Sequence, residues 1–216
     1  MNATIAARSC TVPIAITLMR HGRSRADDEC VHEGRYDSPL TMEGQAQVRR
    51  RAAEWAGAGV RFASIVSSPL VRARESAGIV ADALGGNVRE DSDWLERDNG
   101  RLAGLSFAEA LAKYPPPISP TPYDRAGETG ETIVELHARA ARAMQSVVAA
   151  GESPVLVVAH GGILNAALRV VLGIPLPMGH SGASFAFRDA GYIRLRYDPA
   201  TNAWAIVEFV PGESTL

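Results

Sequence analysis

Two histidines stand where an α/β protein does its chemistry. His21 follows the apolar run Ile14 to Met19 and Arg20, and Gly22 comes after it. His160 follows the apolar run Val155 to Ala159, with Gly161 and Gly162 after it. In open α/β sheets, ligands bind outside the carboxyl ends of strands. One His-Gly after a strand carries little information. Two at equivalent strand ends are harder to dismiss. Arginine strengthens the case. Arg20 adjoins His21, and Arg72 lies in the first turn expected for a helix that follows a strand. A helix N-terminus offers unpaired N–H groups and a positive dipole end, which suit an anion. The planar fork of arginine matches phosphate or carboxylate oxygens.

The elements needed to hold these residues can be read along the chain. Ile14 to Met19 is partly β-branched and ends at a glycine turn, so it is expected as a buried strand. Thr41 is a good N-cap for a helix running to Ala58, which Gly57 and Gly59 close. Phe62 to Val66 is expected as a second strand. Pro69 to Leu84 is expected as a helix with Ser68 as N-cap. Val88 begins a third, weaker strand. Glu131 to Ala150 reads as a long helix and Val155 to Ala159 as a strand buried on both faces. Ile163 to Leu172 reads as a helix. Strands are expected at Ser184 to Phe187, Tyr192 to Tyr197 and Trp204 to Val210.

This alternation argues for an α/β fold: three layers, α/β/α, around a mostly parallel central sheet. Residues 97–130 differ from the rest. Pro115-Pro116-Pro117, Pro120 and Pro122 favour polyproline geometry and turns, with one short helix near Ser106 to Tyr114. They are expected to form a small cap inserted over a single domain. Met1 to Val12 reads as a ragged tail.

Composition narrows the function. The chain has 216 residues, 46% hydrophobic and 21% charged, within ordinary globular usage. The net charge of −2 gives no global field for nucleic acid or an anionic membrane, so neither is expected as a partner. No apolar run reaches the roughly 18 residues of a membrane span. Cys10 and Cys30 form no disulfide framework and lack zinc-ligand spacing, so reduced thiols in a cytoplasmic protein are expected. No metal and no cofactor is expected. Trp204 to Val210 is expected near a sheet edge, where it either pairs in a homodimer or is covered by the tail.

The motifs together resemble the histidine phosphatase superfamily, the phosphoglycerate mutase-like family. Leu18-Met19-Arg20-His21-Gly22-Arg23-Ser24 resembles its leading motif. Gly34-Arg35-Tyr36-Asp37-Ser38-Pro39-Leu40-Thr41-Met42-Glu43-Gly44, with Gln47, resembles the segment after it. Ser67-Ser68-Pro69-Leu70-Val71-Arg72-Ala73 resembles the second arginine motif. Leu95-Glu96-Arg97-Asp98-Asn99-Gly100 resembles the acidic motif, and Ala159-His160-Gly161-Gly162 the second histidine motif.

The resemblance implies roles. His21 is the expected nucleophile, forming a phosphohistidine. Arg20, Arg72 and His160 are expected to hold the phosphoryl oxygens. Glu96 is expected to protonate the leaving oxygen and then activate water. Ser24, Asp27 and Gly161 are further candidates for substrate contact. Nearby cations should keep His21 neutral, and a backbone carbonyl is the expected partner of its other ring nitrogen. Three positions depart from the family's pattern. Arg23 stands where the family usually has glutamate or glutamine, Asp27 where it often has asparagine, and Asn165 where many members have arginine. A carboxylate facing phosphate repels it, so Asp27 is expected to pair with Arg23 or Arg25 at the pocket rim.

The resemblance implies a phosphatase acting on small phosphomonoesters. The alternatives are a cofactor-dependent phosphoglycerate mutase and a non-catalytic relative that binds phosphorylated ligands. A mutase needs a more cationic cap than the proline-rich stretch here. His32, His137 and His180 are expected as structural or surface residues, and Trp55, Trp94 and Trp204 as packing residues.

Overall fold

The computed structural model describes residues 12–177 and 183–213. The sequence expectations for Met1 to Thr11, which include Cys10, and for His180 lie outside the described residues. Strand β1 (Ile14–Arg20) leads into a short helix α1 (Arg25–Glu29) and then α2 (Met42–Gly57). Strand β2 (Ser64–Ser67), helix α3 (Val71–Leu84) and strand β3 (Val88–Glu90) follow. After α4 (Phe107–Lys113) come α5 (Ile133–Ala150), β4 (Val155–Ala159), α6 (Gly161–Leu172), β5 (Tyr192–Asp198) and β6 (Ala203–Val210).

The six strands form one sheet in the order β3-β2-β4-β1-β5-β6. β1, β4, β2 and β3 run parallel, and β5 and β6 are antiparallel. β6 lies at the edge. Alternate side chains of each strand face opposite layers. Ile16, Leu18, Val157 and Ile193 pack with Met144 of α5 and Leu164 of α6. Met19, Leu156, Val158 and Tyr192 pack with Val48 of α2 and Val80 of α3. The fold is therefore a helix layer on each face of a mixed sheet. Trp55 and Trp94 are buried packing residues, as their apolar settings require.

Two sequence expectations are corrected. α3 begins at Val71, with Leu70 and not Ser68 in the capping position. The cap comes from elsewhere: Asp37 Oδ1 accepts from Val71 N at 2.7 Å. Ser68 Oγ accepts from Leu70 N at 3.3 Å and also reaches the site described below. Ser184 to Phe187 is not a strand. Side chains take its backbone groups instead. Asn165 binds the N–H and carbonyl of Phe185, and Arg20 Nη1 donates to the Phe187 carbonyl at 3.1 Å. Between β3 and α5, three 3₁₀ turns and α4 account for the regular structure, and Ser106 caps α4. The proline tract has no helix or strand. No helix among the described residues is long and apolar enough to cross a membrane.

The turn leaving β1 crosses the start of α2 very closely. A Cβ on Gly22 would lie 2.4 Å from the Gly44 carbonyl oxygen, and one on Gly44 would lie 2.0 Å from the Arg23 carbonyl oxygen. Both glycines are needed because backbone meets backbone with no room for a methyl group. Gln47 locks the crossing: its Oε1 accepts from Arg23 N at 2.9 Å. Gly44→Ala is expected to destabilise the protein by about 1–3 kcal/mol through overpacking. Urea unfolding measures this, and an unchanged midpoint would show that the turn can move aside.

Candidate functional site

Parallel register brings three strand ends to one level. Arg20 pairs with Ala159 and Ser67 with Val158. Beyond the strands, His21 N donates to the Ala159 carbonyl at 3.0 Å, and Ser68 N to that of Val158 at 3.0 Å. His21, His160 and Ser68 therefore leave the sheet side by side, and α3 delivers Arg72 to the same place. The two histidine rings lie 5.1 Å apart, centroid to centroid.

His21 is 1% exposed. Its Nδ1 lies 2.6 Å from the Gly22 carbonyl. A carbonyl only accepts, so Nδ1 carries the proton and Nε2 presents a lone pair. Arg72 Nε donates to that lone pair at 3.2 Å. Burial first, then the charges of Arg72 and Arg20, hold the His21 pKa well below its ordinary value of 6.5. The Gly22 carbonyl acts in the opposite direction but does not outweigh them. His160 is shifted the same way, by burial and then by Arg72, His21, Arg20 and Arg139. Its Nε2 meets Ser68 Oγ at 2.8 Å, while its Nδ1 is buried and has no protein partner among the described residues.

Arg72 is fully buried. It donates to the carbonyls of Tyr36 (3.0 Å) and Gly34 (2.8 Å) and pairs with Glu33 Oε1 at 3.2 Å. Burial works against its charge, whereas Glu33, Glu96 and Asp37 support it. Arg20 sits between two carboxylates, Asp27 and Asp189, each 3.6 Å away.

Asp27 does pair with an arginine, but the expected partner is corrected. Arg23 reaches Asp28 at 2.7 Å and Arg25 reaches Glu29 at 3.0 Å, while Asp27 faces Arg20. The cause is α1, which the sequence reading missed. Asp27 is its third residue, so Oδ2 turns back to accept from Ser24 N at 2.8 Å and from Ser24 Oγ at 3.0 Å. Ser24 Oγ also bonds Glu33.

Glu96 lies at the start of α6. Its carboxylate accepts from Gly162 N (2.9 Å), Ile163 N (3.0 Å) and Arg97 N (2.7 Å). A Cβ on Gly162 would come within 2.5 Å of Glu96 Oε1, which explains the second glycine after His160. Gly161, proposed to touch substrate, has open space around its Cα. Arg139 on α5 anchors the Glu96 loop by donating to the carbonyls of Asp93, Leu95 and Glu96. Its charge is balanced by Glu131 at 2.6 Å.

Sequence reasoning missed Glu33, Asp189 and Arg139. Glu33 had one available signal: it directly precedes the Gly34 to Asp37 segment, whose carbonyls hold Arg72. The other two had none. His32 lies edge-on to Phe107 and lines a cavity, while His137 bonds the Ile133 carbonyl of its own helix at 2.9 Å. The cavity, about 1000 Å³, is also lined by Arg97, Leu102, Phe107, Tyr114 and Pro116. His32 and Arg97 are chain neighbours of Glu33 and Glu96, but the histidines, Arg20, Arg72 and the two glutamates do not themselves line the cavity. Among the described residues, no cluster of three or more His, Cys, Asp or Glu could hold a metal ion.

These features define a class: a three-layer α/β protein with two buried, neutral histidines and two arginines gathered at its strand ends. The chain belongs to the histidine phosphatase superfamily (branch 1), whose profile matches residues 16–209. It is 32% identical over 163 residues to the "Uncharacterized phosphatase PhoE" of Bacillus subtilis (strain 168), covering 74% of this chain and 78% of that protein. It is also 32% identical over 203 residues to the "Probable phosphoglycerate mutase GpmB" of Proteus mirabilis (strain HI4320), covering 89% and 91%. The solved structure of Bacillus stearothermophilus YhfR superposes with a TM-score of 0.80 at 25% identity, covering 94% of this chain and 98% of that one. Membership supports an enzyme, and the relatives include both phosphatase and mutase names.

Arg139→Met should cost about 3–5 kcal/mol, because it leaves Glu131 buried without its cation. Thermal or urea unfolding tests this. A loss under about 1 kcal/mol would mean that the Glu96 loop holds without the arginine.

Proposed function

We propose that the protein is a metal-independent phosphatase that hydrolyses small phosphomonoesters through a phosphohistidine on His21. One observation carries the reading. His21 Nε2 is unprotonated, fixed by the Gly22 carbonyl behind it, and faces the buried guanidinium of Arg72. A nucleophile needs that lone pair, and phosphoryl transfer needs cations already in place around it.

In this reading His21 Nε2 attacks phosphorus while Arg20 and Arg72 stabilise the non-bridging oxygens. His160 Nδ1, buried without a protein partner, is available to a third oxygen. Glu96 gives its proton to the leaving alcohol oxygen as the P–O bond breaks. The resulting carboxylate then takes a proton from water, whose oxygen attacks phosphorus and releases phosphate from His21. One carboxyl serves both halves because the two proton transfers are opposite. The three backbone N–H groups on Glu96 would fix its position for this work.

The leaving group would extend toward the cavity that the neighbours of Glu33 and Glu96, His32 and Arg97, help to line. Its lining cations, Arg97 and Arg125, are matched by the acids Asp124 and Glu128. Arg125 is already paired with Glu135 at 2.9 Å. A mutase must hold a carboxylate and two phosphate groups, and this lining is poorly equipped for that. Kinship with GpmB keeps the mutase as the second reading. An exposed free thiol at Cys30 fits a reducing, cytoplasmic setting.

Steady-state release of p-nitrophenol from p-nitrophenyl phosphate, with chelator present, tests the reading. Wild type should turn over and His21→Ala should not; equal activity in both would remove His21 as nucleophile. Glu96→Gln should lower kcat by about 10²–10⁴-fold. Gly162→Ala should also lower kcat with little loss of stability, because its methyl group displaces the Glu96 carboxylate rather than backbone. Normal kcat in both variants would rule out Glu96 as the proton carrier.

The pH profile adds a separate check. The His21 pKa is depressed, so the ring stays neutral below pH 6.5 and protonates only at lower pH. The acid limb of kcat/KM should therefore fall clearly below 6.5. A limb at 6.5 or above would show that His21 is not held neutral.

A further inference from the structure

The group least accounted for at the site is Glu33. Its Oε2 lies 3.8 Å from His21 Nε2, and its Oε1 lies 3.2 Å from Arg72 Nε. The phosphorus of a phosphohistidine bonds Nε2, and its oxygens lie one bond farther out. Glu33 Oε2 lies just outside that shell, against whichever phosphoryl oxygen points toward it. As a carboxylate it would place negative charge directly against a phosphoryl oxygen. An acceptor facing an acceptor makes no hydrogen bond.

Every element packed around Glu33 contributes a charged or polar group. β1 and its end supply Arg20 and His21. The start of α1 supplies Ser24 and Asp27, and α3 supplies Arg72. In the free protein the Arg72 pair and the Ser24 hydroxyl favour the carboxylate. Burial opposes it more strongly, and the charge of Asp27 adds to that opposition, so the Glu33 pKa lies above its ordinary value. An arriving dianion acts in the same direction as burial. It also competes for Arg72, the main partner of the carboxylate.

Accepting the phosphatase reading of this pocket, we propose that Glu33 takes up one proton as the phosphoryl group binds and donates that O–H to a phosphoryl oxygen. The proton comes from solvent, and the carboxylate becomes a carboxylic acid. An acceptor at the nucleophile thus becomes a hydrogen-bond donor. Glu33 is then a catalytic residue, since it touches the reacting group. The pocket prefers mildly acidic conditions for the same reason. Below the Glu33 pKa of the free protein, the acid is already present and affinity is full. Above it, binding must draw a proton from solvent, and affinity falls as pH rises.

Sulfate is a suitable probe because its charge does not change across the relevant range. Titration calorimetry should follow sulfate binding from about pH 5 to 8 in buffers of different ionisation enthalpy. In the wild type, the association constant should fall about tenfold per pH unit above the Glu33 pKa, with uptake approaching one proton per sulfate. Glu33→Gln, whose amide can donate at every pH, should bind with a level profile. A sloping profile kept in Glu33→Gln would overturn the proposal and give the proton to a histidine. A difference infrared spectrum of the wild type needs no variant. Sulfate should raise a carboxylic-acid C=O band at neutral pH, and its absence would also overturn the proposal. Sulfate binding with a flat wild-type profile refutes the proton alone. No sulfate binding at any pH refutes the phosphate pocket, and this inference with it.

Discussion

A guanidinium with no exposure to solvent constrains everything around it. Leaving a buried charge unpaired costs several kcal/mol, so Arg72 must be satisfied on every side. Its partners come from two places. The loop before α2 offers the Gly34 and Tyr36 carbonyls and the Glu33 carboxylate, and the end of β1 offers His21 Nε2. The loop can do this only by lying across the start of α3. Asp37 holds it there by capping Val71, a position where Leu70 has no side-chain oxygen to give. The segment after the first histidine is thus a socket for the second arginine.

The histidines depend on that socket. Two neutral imidazoles in one buried pocket avoid adding charge to a place already burdened by Arg72. The Gly22 carbonyl selects the His21 tautomer, and the glycines of the β1 turn let that carbonyl lie where it does. Gly22, Gly44 and Gln47 are then explained by geometry: they allow the turn to press against α2 while Ser76 Oγ accepts from Gly22 N at 3.2 Å. Placement of the His21 ring and backbone packing are here one requirement.

What was legible in the sequence follows from how local each signal is. The β1 and β4 histidines were legible because each ends a continuous apolar strand, and parallel strands of one sheet share a level at their ends. Arg72 was legible as a first-turn residue. Glu96 was legible only through a motif, since its hydrogen bonds go to the first turn of α6, far along the chain. Asp189 and Arg139 were hidden because their roles exist only across the sheet and between layers. Ser68 misled for a related reason. It is a good N-cap residue by type, yet the pull of His160 on its hydroxyl and a cap supplied by Asp37 override the local preference. Ser184 to Phe187 misled because side chains of β1 and α6 take the backbone groups that a strand would need.

The acids around the two arginines change what binding must accomplish. Asp27 and Asp189 flank Arg20, and Glu33 pairs with Arg72, so carboxylates at least match the two guanidiniums before any ligand arrives. Those carboxylates hold the cations in place, so under the proposed function little reorganisation remains when a phosphoryl group arrives. They also compete with it. A dianion entering here exchanges with acids already present, and its net gain is smaller than bare arginines would give. The chain as a whole carries −2 and offers no long-range attraction to compensate. On the proposed phosphatase reading, selectivity then comes from contact: the fit of the leaving group, and the geometry by which phosphoryl oxygens match donors better than the carboxylates do.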